Sequence, residues 1–176
     1  GLRFPDYRSY EKTFSMVSQV AGRAGRGENR GSVIVQTIEK DNEIFEYIKN
    51  NDYEGLYETE IRARRDFGYP PFGTIVRIVT GSTSIERAAN TAEKVKDAIN
   101  FYSGKKGAEF TPLGPTPCII QRIEKKYRWQ LFYKIHGDRE ISLLKNIINF
   151  ILSEKRSIII DEDTSVSVDV NPKNMM

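Results

Sequence analysis

A single cysteine, a single histidine and a single tryptophan stand in 176 residues. One thiol, Cys118, excludes an internal disulfide framework and any multi-cysteine zinc site, and it fits a reducing cytoplasm. With His136 as the sole imidazole, and no serine or cysteine beside an evident base, hydrolase-type catalysis has no support. No apolar run is long enough to span a bilayer, and no signal peptide opens the chain. Repeats and extended low-complexity tracts are absent. So is the pattern G-x-x-x-x-G-K-[ST], so no loop of this chain cradles nucleotide phosphates in the P-loop manner. Neither charge dominates: 27 basic against 24 acidic residues leave a net +3, which permits nucleic-acid contact without demanding it. The chain is 39% hydrophobic and 29% charged, enough apolar material for a sizeable core in one domain or one and a half.

The most informative run present is Gln19-Val20-Ala21-Gly22-Arg23-Ala24-Gly25-Arg26-Gly27. Gln19, Arg23 and Arg26 are spaced i, i+4 and i+7, so a helix puts all three on one face. The small residues between them let that face come close to another surface and offer two guanidinium forks to a polyphosphate. Gly-Arg strings also occur in flexible RNA-binding tails, but those are long and repetitive. Here one copy follows Tyr10, Phe14, Val17 and Ala21 at helical spacing, with Ser9 placed to cap. The spacing predicts an ordered helix over about 9–26.

Downstream, Ser32 to Thr37 is a β-branched run that reads as a short buried strand, and Asp41 or Asn42 is placed to cap a helix through Ile44, Phe45 and Ile48. Residues 52–67 read as a helix with Glu58–Arg62 and Glu60–Arg64 ion pairs. Gly68-Tyr69-Pro70-Pro71-Phe72-Gly73 then stops it as a structural linker. Beyond lie a strand over 74–80, a helix over 85–102 capped by Thr83 or Ser84, and a short strand over 110–113. Gly114-Pro115-Thr116-Pro117 reads as a turn. A hairpin follows, 118–123 with 127–135 around Glu124, Lys125 and Lys126, then a helix over 138–154 and a strand over 165–170. That order predicts a compact α+β sandwich, helices on one face of a mainly antiparallel sheet.

A second constellation, Gln121-Arg122-Ile123-Glu124-Lys125-Lys126-Tyr127-Arg128-Trp129-Gln130, interleaves basic and aromatic residues. On a strand Tyr127, Trp129, Leu131 and Tyr133 share one face while Arg128, Gln130 and Lys134 share the other. Two readings stand side by side. In one, the aromatic face is buried under a helix and the basic face is solvated. In the other, Arg122, Lys125, Lys126 and Arg128 contact DNA. The remaining candidates are bland: His136 is a strand-end or turn residue, Cys118 a buried small hydrophobe, Lys105-Lys106 an exposed turn. Asp161-Glu162-Asp163 reads as a solvated loop rather than a metal cluster.

QVAGRAGRG, the Arg-rich helix with YPPFG, and PTPC with KYRWQ resemble, in this order, the PriA family of replication-restart helicases (primosomal protein N′, superfamily 2). The resemblance covers essentially the whole chain. It implies that residues 1–51 end a second RecA-like helicase lobe, that 52–73 are a bridging helix and linker, and that 74–176 are a domain similar to ribosomal protein S10. It implies an ATP-dependent 3′→5′ DNA helicase that recognises stalled or repaired forks and reassembles the primosome in the cytoplasm, at the nucleoid. Arg26 would reach the γ-phosphate of an ATP held with magnesium by the other lobe, Arg23 would support it, and Gln19 would bond a phosphate or the attacking water. The C-terminal domain would meet forked or single-stranded DNA, the single-stranded DNA-binding protein SSB and other primosome proteins, and no membrane. Zinc would belong to a cysteine-rich region outside this chain.

The opening Gly1-Leu2-Arg3-Phe4-Pro5, without an initiator methionine, suits a C-terminal fragment of such a protein. No DExH-like run stands before the arginines to hold magnesium, so the fragment is expected to be inactive alone, with no bound cofactor. The alternative is a stand-alone nucleic-acid or SSB-binding module without catalysis, or a domain that only braces the helicase lobes.

Overall fold

The computed structural model describes residues 6–24, 32–39 and 41–173. The chain divides into two compact units, one ending at Phe67 and the other running on from Gly68. Among the described residues three helices make the first: α1 (Ser9–Ala24), α2 (Ile44–Lys49) and α3 (Tyr53–Asp66). Phe14, Ile44 and Leu56 form its buried centre, with Tyr10, Phe45 and Ile48 packed around them. Ser9 is the first helical residue rather than the cap. Asp6 does the capping: its carboxylate accepts from the Arg8 N–H at 3.1 Å and its carbonyl accepts the Ser9 N–H at 2.9 Å. Ala21, expected on the buried stripe, is exposed. Asn42 serves α2 by accepting the Ile44 N–H at 3.1 Å, and Asp52 serves α3 by accepting the Gly55 N–H at 2.9 Å. Of the two ion pairs expected on α3, Glu60–Arg64 forms at 3.7 Å, and Arg64 also reaches Glu11 at 2.9 Å, tying α3 to α1.

The strand expected over 32–37 does not form. These residues carry no strand and are all exposed, Ile34 at 92%. Backbone polar groups of a strand are satisfied only by a ladder. No strand among the described residues pairs with this segment, so its β-branched composition has nothing to act on.

The second unit is a four-stranded antiparallel sheet of order β2-β3-β1-β4, built from β1 (Thr74–Ser82), β2 (Pro112–Ile123), β3 (Lys126–Ile135) and β4 (Ser165–Val170). Helices α4 (Ile85–Gly104) and α5 (Asp138–Glu154) cover one face, and a short α6 (Arg156–Ile159) precedes β4. Ser84 caps α4 by accepting the Arg87 N–H at 3.4 Å. The core joins Val76 and Ile78 of β1, Leu131, Tyr133 and Ile135 of β3, Ala92, Val95 and Ile99 of α4, and Leu144, Ile147, Ile148 and Ile151 of α5. These helical positions repeat every three or four residues and the strand positions every two, which is why the stripes meet in one layer.

Two sequence expectations need correction here. Gly114-Pro115-Thr116-Pro117 is not a turn between strands; it lies inside β2. The ladder to β3 skips between Leu113 and Thr116, and Gly114 sits at φ +101. Because β2 is an edge strand, its prolines forfeit few ladder bonds. The sheet face away from the helices is not simply solvated either. Ile75, Arg77, Gln130 and Phe132 are buried on it. There the Arg77 Nε donates to Gln130 Oε1 at 2.9 Å, and its guanidinium lies 5.8 Å from the Phe132 ring centre.

The acidic loop before β4 is held by ion pairs. Asp161 accepts from Lys94 and Thr91 of α4, and Asp163 lies 3.7 Å from Arg87. The Lys94 hydrogen bond, opposed by partial burial, holds the Asp161 carboxyl below its ordinary range. Its contribution is therefore complete above about pH 4 and is lost as pH falls through the depressed folded value. Asp161→Asn is expected to lower stability by about 0.2–1 kcal/mol at pH 7. In thermal melts across pH, the gap to the unchanged protein should close in acid. A gap that persists there would assign the effect to packing.

Candidate nucleic-acid interface and arginine motif

The β2–β3 hairpin closes through a two-residue turn, Glu124-Lys125, both at positive φ (49° and 65°), between the paired Ile123 and Lys126. Two consecutive left-handed residues are the backbone of a type I′ turn, whose twist matches that of the flanking strands. The turn is thus Glu124-Lys125, with Lys126 already in β3.

This geometry gathers the predicted basic residues at one hairpin tip but the pleat divides them. Arg122 pairs with Tyr127, so both lie on the helix side, and the Arg122 guanidinium sits 5.0 Å from the Tyr127 ring centre. Lys126 and Arg128 fall on the other side, and Lys125 stands at the turn. Arg122, Lys125 and Lys126 are exposed. Arg128 is half-buried and donates to the Ile120 carbonyl at 3.5 Å. Nearby, burial pushes the Cys118 thiol up against the opposing fields of Arg128 and Arg77. Trp129 is partly buried against the core, so its ring belongs to packing.

On α1, Gln19 and Arg23 are exposed, away from the stripe of Phe14 and Val17 that faces the core. Among the described residues neither side chain makes a hydrogen bond or ion pair. An exposed guanidinium beside an exposed amide is the chemistry that binds a polyphosphate. Arg26, the other member of the motif, lies outside the described residues.

Sequence spacing missed a third feature, a groove of about 450 Å³ in the second unit. Lys106, Lys134 and Arg139 bring positive charge to it, the His136 imidazole lies among them, Phe110 and Leu143 are its apolar lining, and Glu109 and Glu140 also line it. These residues come from the α4–β2 loop, the end of β3 and the start of α5, so no local motif could announce them. The Lys134 Nζ lies 4.4 Å from the Tyr69 ring centre, and burial lowers its pKa. His136, an exposed residue beyond the end of β3, fills a notch made by glycines. Gly68 is at φ +61, and a Cβ there would collide with the imidazole.

Among the described residues no helix is long and apolar enough to cross a membrane. The family model for the primosomal protein N C-terminal domain matches residues 65–173. The chain is 37% identical to the replication restart protein PriA of Bacillus subtilis over 176 residues, covering 99% of this chain and 21% of that protein. It is 30% identical to the PriA of Borreliella burgdorferi over 180 residues, covering 100% of this chain and 25% of that protein. With the PriA of Synechocystis it shares 35% identity over 133 residues, 76% of this chain and 16% of that protein. The chain thus spans no more than about a quarter of the length of these relatives. By its C-terminal domain and its similarity along almost its whole length, the chain belongs to the PriA family of replication restart proteins.

Proposed function

We propose that these residues form the C-terminal part of an ATP-dependent 3′→5′ DNA helicase that restarts replication at stalled or repaired forks. The first unit supplies the end of a RecA-like lobe. Its Gln19 and Arg23 face, together with Arg26, approaches the phosphates of an Mg-ATP held elsewhere in the parent protein. The residues described here fit that role as one wall of a site. The exposed α1 face offers donors to phosphate, while nothing in the sequence offers a P-loop. Bound ATP supplies the free energy of strand separation; Gln19 and Arg23 would hold and orient its phosphates.

The second unit, a domain of the kind found in ribosomal protein S10, is the DNA-binding part. The observation that carries this is the hairpin tip, where Arg122, Lys125 and Lys126 stand exposed around one tight turn with Arg122 stacked on Tyr127. Such a tip reaches phosphates on either side of its pleat. Fluorescence anisotropy with a labelled fork, across a salt series, tests it. Lys125→Glu with Lys126→Glu is expected to weaken binding about tenfold or more at low salt and to flatten the salt dependence by roughly one unit of log–log slope per lost phosphate contact. Arg128→Glu should matter less to affinity, because that side chain is tied to the Ile120 carbonyl. Unchanged affinity across the series would remove the hairpin from the interface.

A second reading, a protein-binding module without catalysis, is favoured by the groove around Lys106, Lys134 and Arg139. Cations above an apolar floor fit a carboxylate-bearing peptide with an apolar end, and SSB or another primosome protein would present it. The two readings combine in a full-length protein.

A further inference from the structure

We propose that the outer surface of the α4–α5 layer is a second nucleic-acid contact, where bases of a single strand stack on Phe101 and Phe150 while Lys105 and Lys155 take its phosphates. The choice of ligand rests on the nucleic-acid reading above; the surface is a different one. The α4 residues that face the core are Ala88, Ala92, Val95 and Ile99, and Phe101 lies two positions beyond the last, pointing away. It is 56% exposed, and Phe150 of α5 is 38% exposed. Core packing accounts for neither ring.

Isolated exposed aromatics need no explanation, but these are joined. Tyr102 is partly buried against the core and meets Phe101 edge-on at 5.2 Å between ring centres and Phe150 edge-on at 5.1 Å. The three rings therefore make one edge-to-face cluster that bridges two helices, is anchored in the core through Tyr102, and leaves the outer rings to solvent.

Each outer ring carries its own ammonium. The Lys105 Nζ lies 4.3 Å from the Phe101 ring centre and the Lys155 Nζ 5.7 Å from that of Phe150. Lys106 and Arg156 are exposed beside them in sequence. Asp97, one turn before Phe101, is already paired with Lys96 at 3.8 Å. An ammonium over an exposed ring is a weaker contact than a stacked base over the same ring. A base that displaces Lys105 from Phe101 frees that ammonium for the adjoining phosphate, so one exchange satisfies both groups. Duplex DNA has no free base faces to offer, which points to a single strand rather than a double one.

The test is anisotropy of this chain with a labelled single-stranded thymidine oligonucleotide and, in parallel, with a duplex of equal length. Phe101→Leu with Phe150→Leu keeps apolar bulk and removes the π-faces. It is expected to weaken single-strand binding about tenfold, with duplex binding changed less than twofold. Phe101→Trp should hold or tighten it. Lys105→Glu with Lys155→Glu should weaken it similarly and reduce the salt slope. Single-strand binding that survives both double variants overturns the proposal and leaves the cluster to a protein partner. Loss with the hairpin variant alone refutes this surface and keeps the hairpin. Loss with the ring variant alone does the reverse. Circular dichroism melts within about 2 °C of the unchanged chain exclude unfolding as the cause.

Discussion

Arg26→Ala, made in a protein carrying both helicase lobes, is expected to lower ATP turnover about 10³-fold, roughly 4 kcal/mol of transition-state stabilisation. Charge builds on the transferring phosphoryl group as the bond to its leaving oxygen breaks, and a positioned guanidinium meets it without reorganising. The sequence carries two such groups three residues apart and no P-loop, so on the proposed reading the nucleotide would be presented by another lobe. The loss should fall on kcat more than on KM, because the interaction strengthens as charge develops. Arg23→Ala, on the exposed face of α1, is expected to cost less, about 10-fold to 10²-fold. Steady-state phosphate release, with and without DNA, checks both. Turnover equal to that of the unchanged protein with Arg26→Ala would end the arginine-finger assignment.

The largest expected loss of stability comes from Gly114→Ala. Gly114 holds φ +101, a conformation that residues with a Cβ rarely adopt. A Cβ there would stand 2.9 Å from the Gln130 carbonyl oxygen and 3.1 Å from the Thr116 nitrogen, both backbone atoms that the β2–β3 pairing fixes. Strain of about 1–3 kcal/mol and a displaced ladder add to about 3–4 kcal/mol. Gly104→Ala is the control. Nothing lies within 4 Å of its Cβ position, and alanine there should be neutral or stabilising by up to about 1 kcal/mol. Urea unfolding of the two variants should move the midpoint in opposite directions or only for Gly114. Equal midpoints would show that β2 relaxes around its irregularity.

How far the sequence reached depends on how local each signal is. Helix α5 could be read over its full length because Ile141, Leu144, Ile147, Ile148 and Ile151 repeat on one side and Gly137 breaks the chain before it. Helix α4 announced itself in the same way, with Ser84 as its cap. The interior of β2 was hidden because Gly114, Pro115 and Pro117 carry the composition of a turn. Only the edge position of that strand makes them tolerable. Burial of Arg77 and Gln130 was equally illegible, since alternation assigns polar residues to water unless a neighbouring chain segment covers them. Segment 32–37 shows the converse: strong strand composition with no strand beside it. At the candidate interface, the identities of Arg122, Lys125, Lys126 and Arg128 were visible. Their division across the pleat and the tether on Arg128 were set by cross-strand register, which a single strand does not encode. The cationic groove and the aromatic cluster join residues more than 20 positions apart, beyond the reach of any periodicity.

Strand β1 is flanked by β3 and by β4, and β4 comes from the far end of the unit: Gly81 pairs with Ser165, 84 residues on. During synthesis, α4, β2, β3 and α5 therefore emerge while one side of β1 still has unmatched amides and carbonyls. Closing so long a loop is slow in comparison with the neighbouring hairpin. The ribosome must release Val170 before the sheet is complete. A stalled or prematurely terminated chain lacking those last residues would expose Ile75 to Ser82 as an open, apolar edge, a substrate for chaperones and proteases rather than a partly working protein.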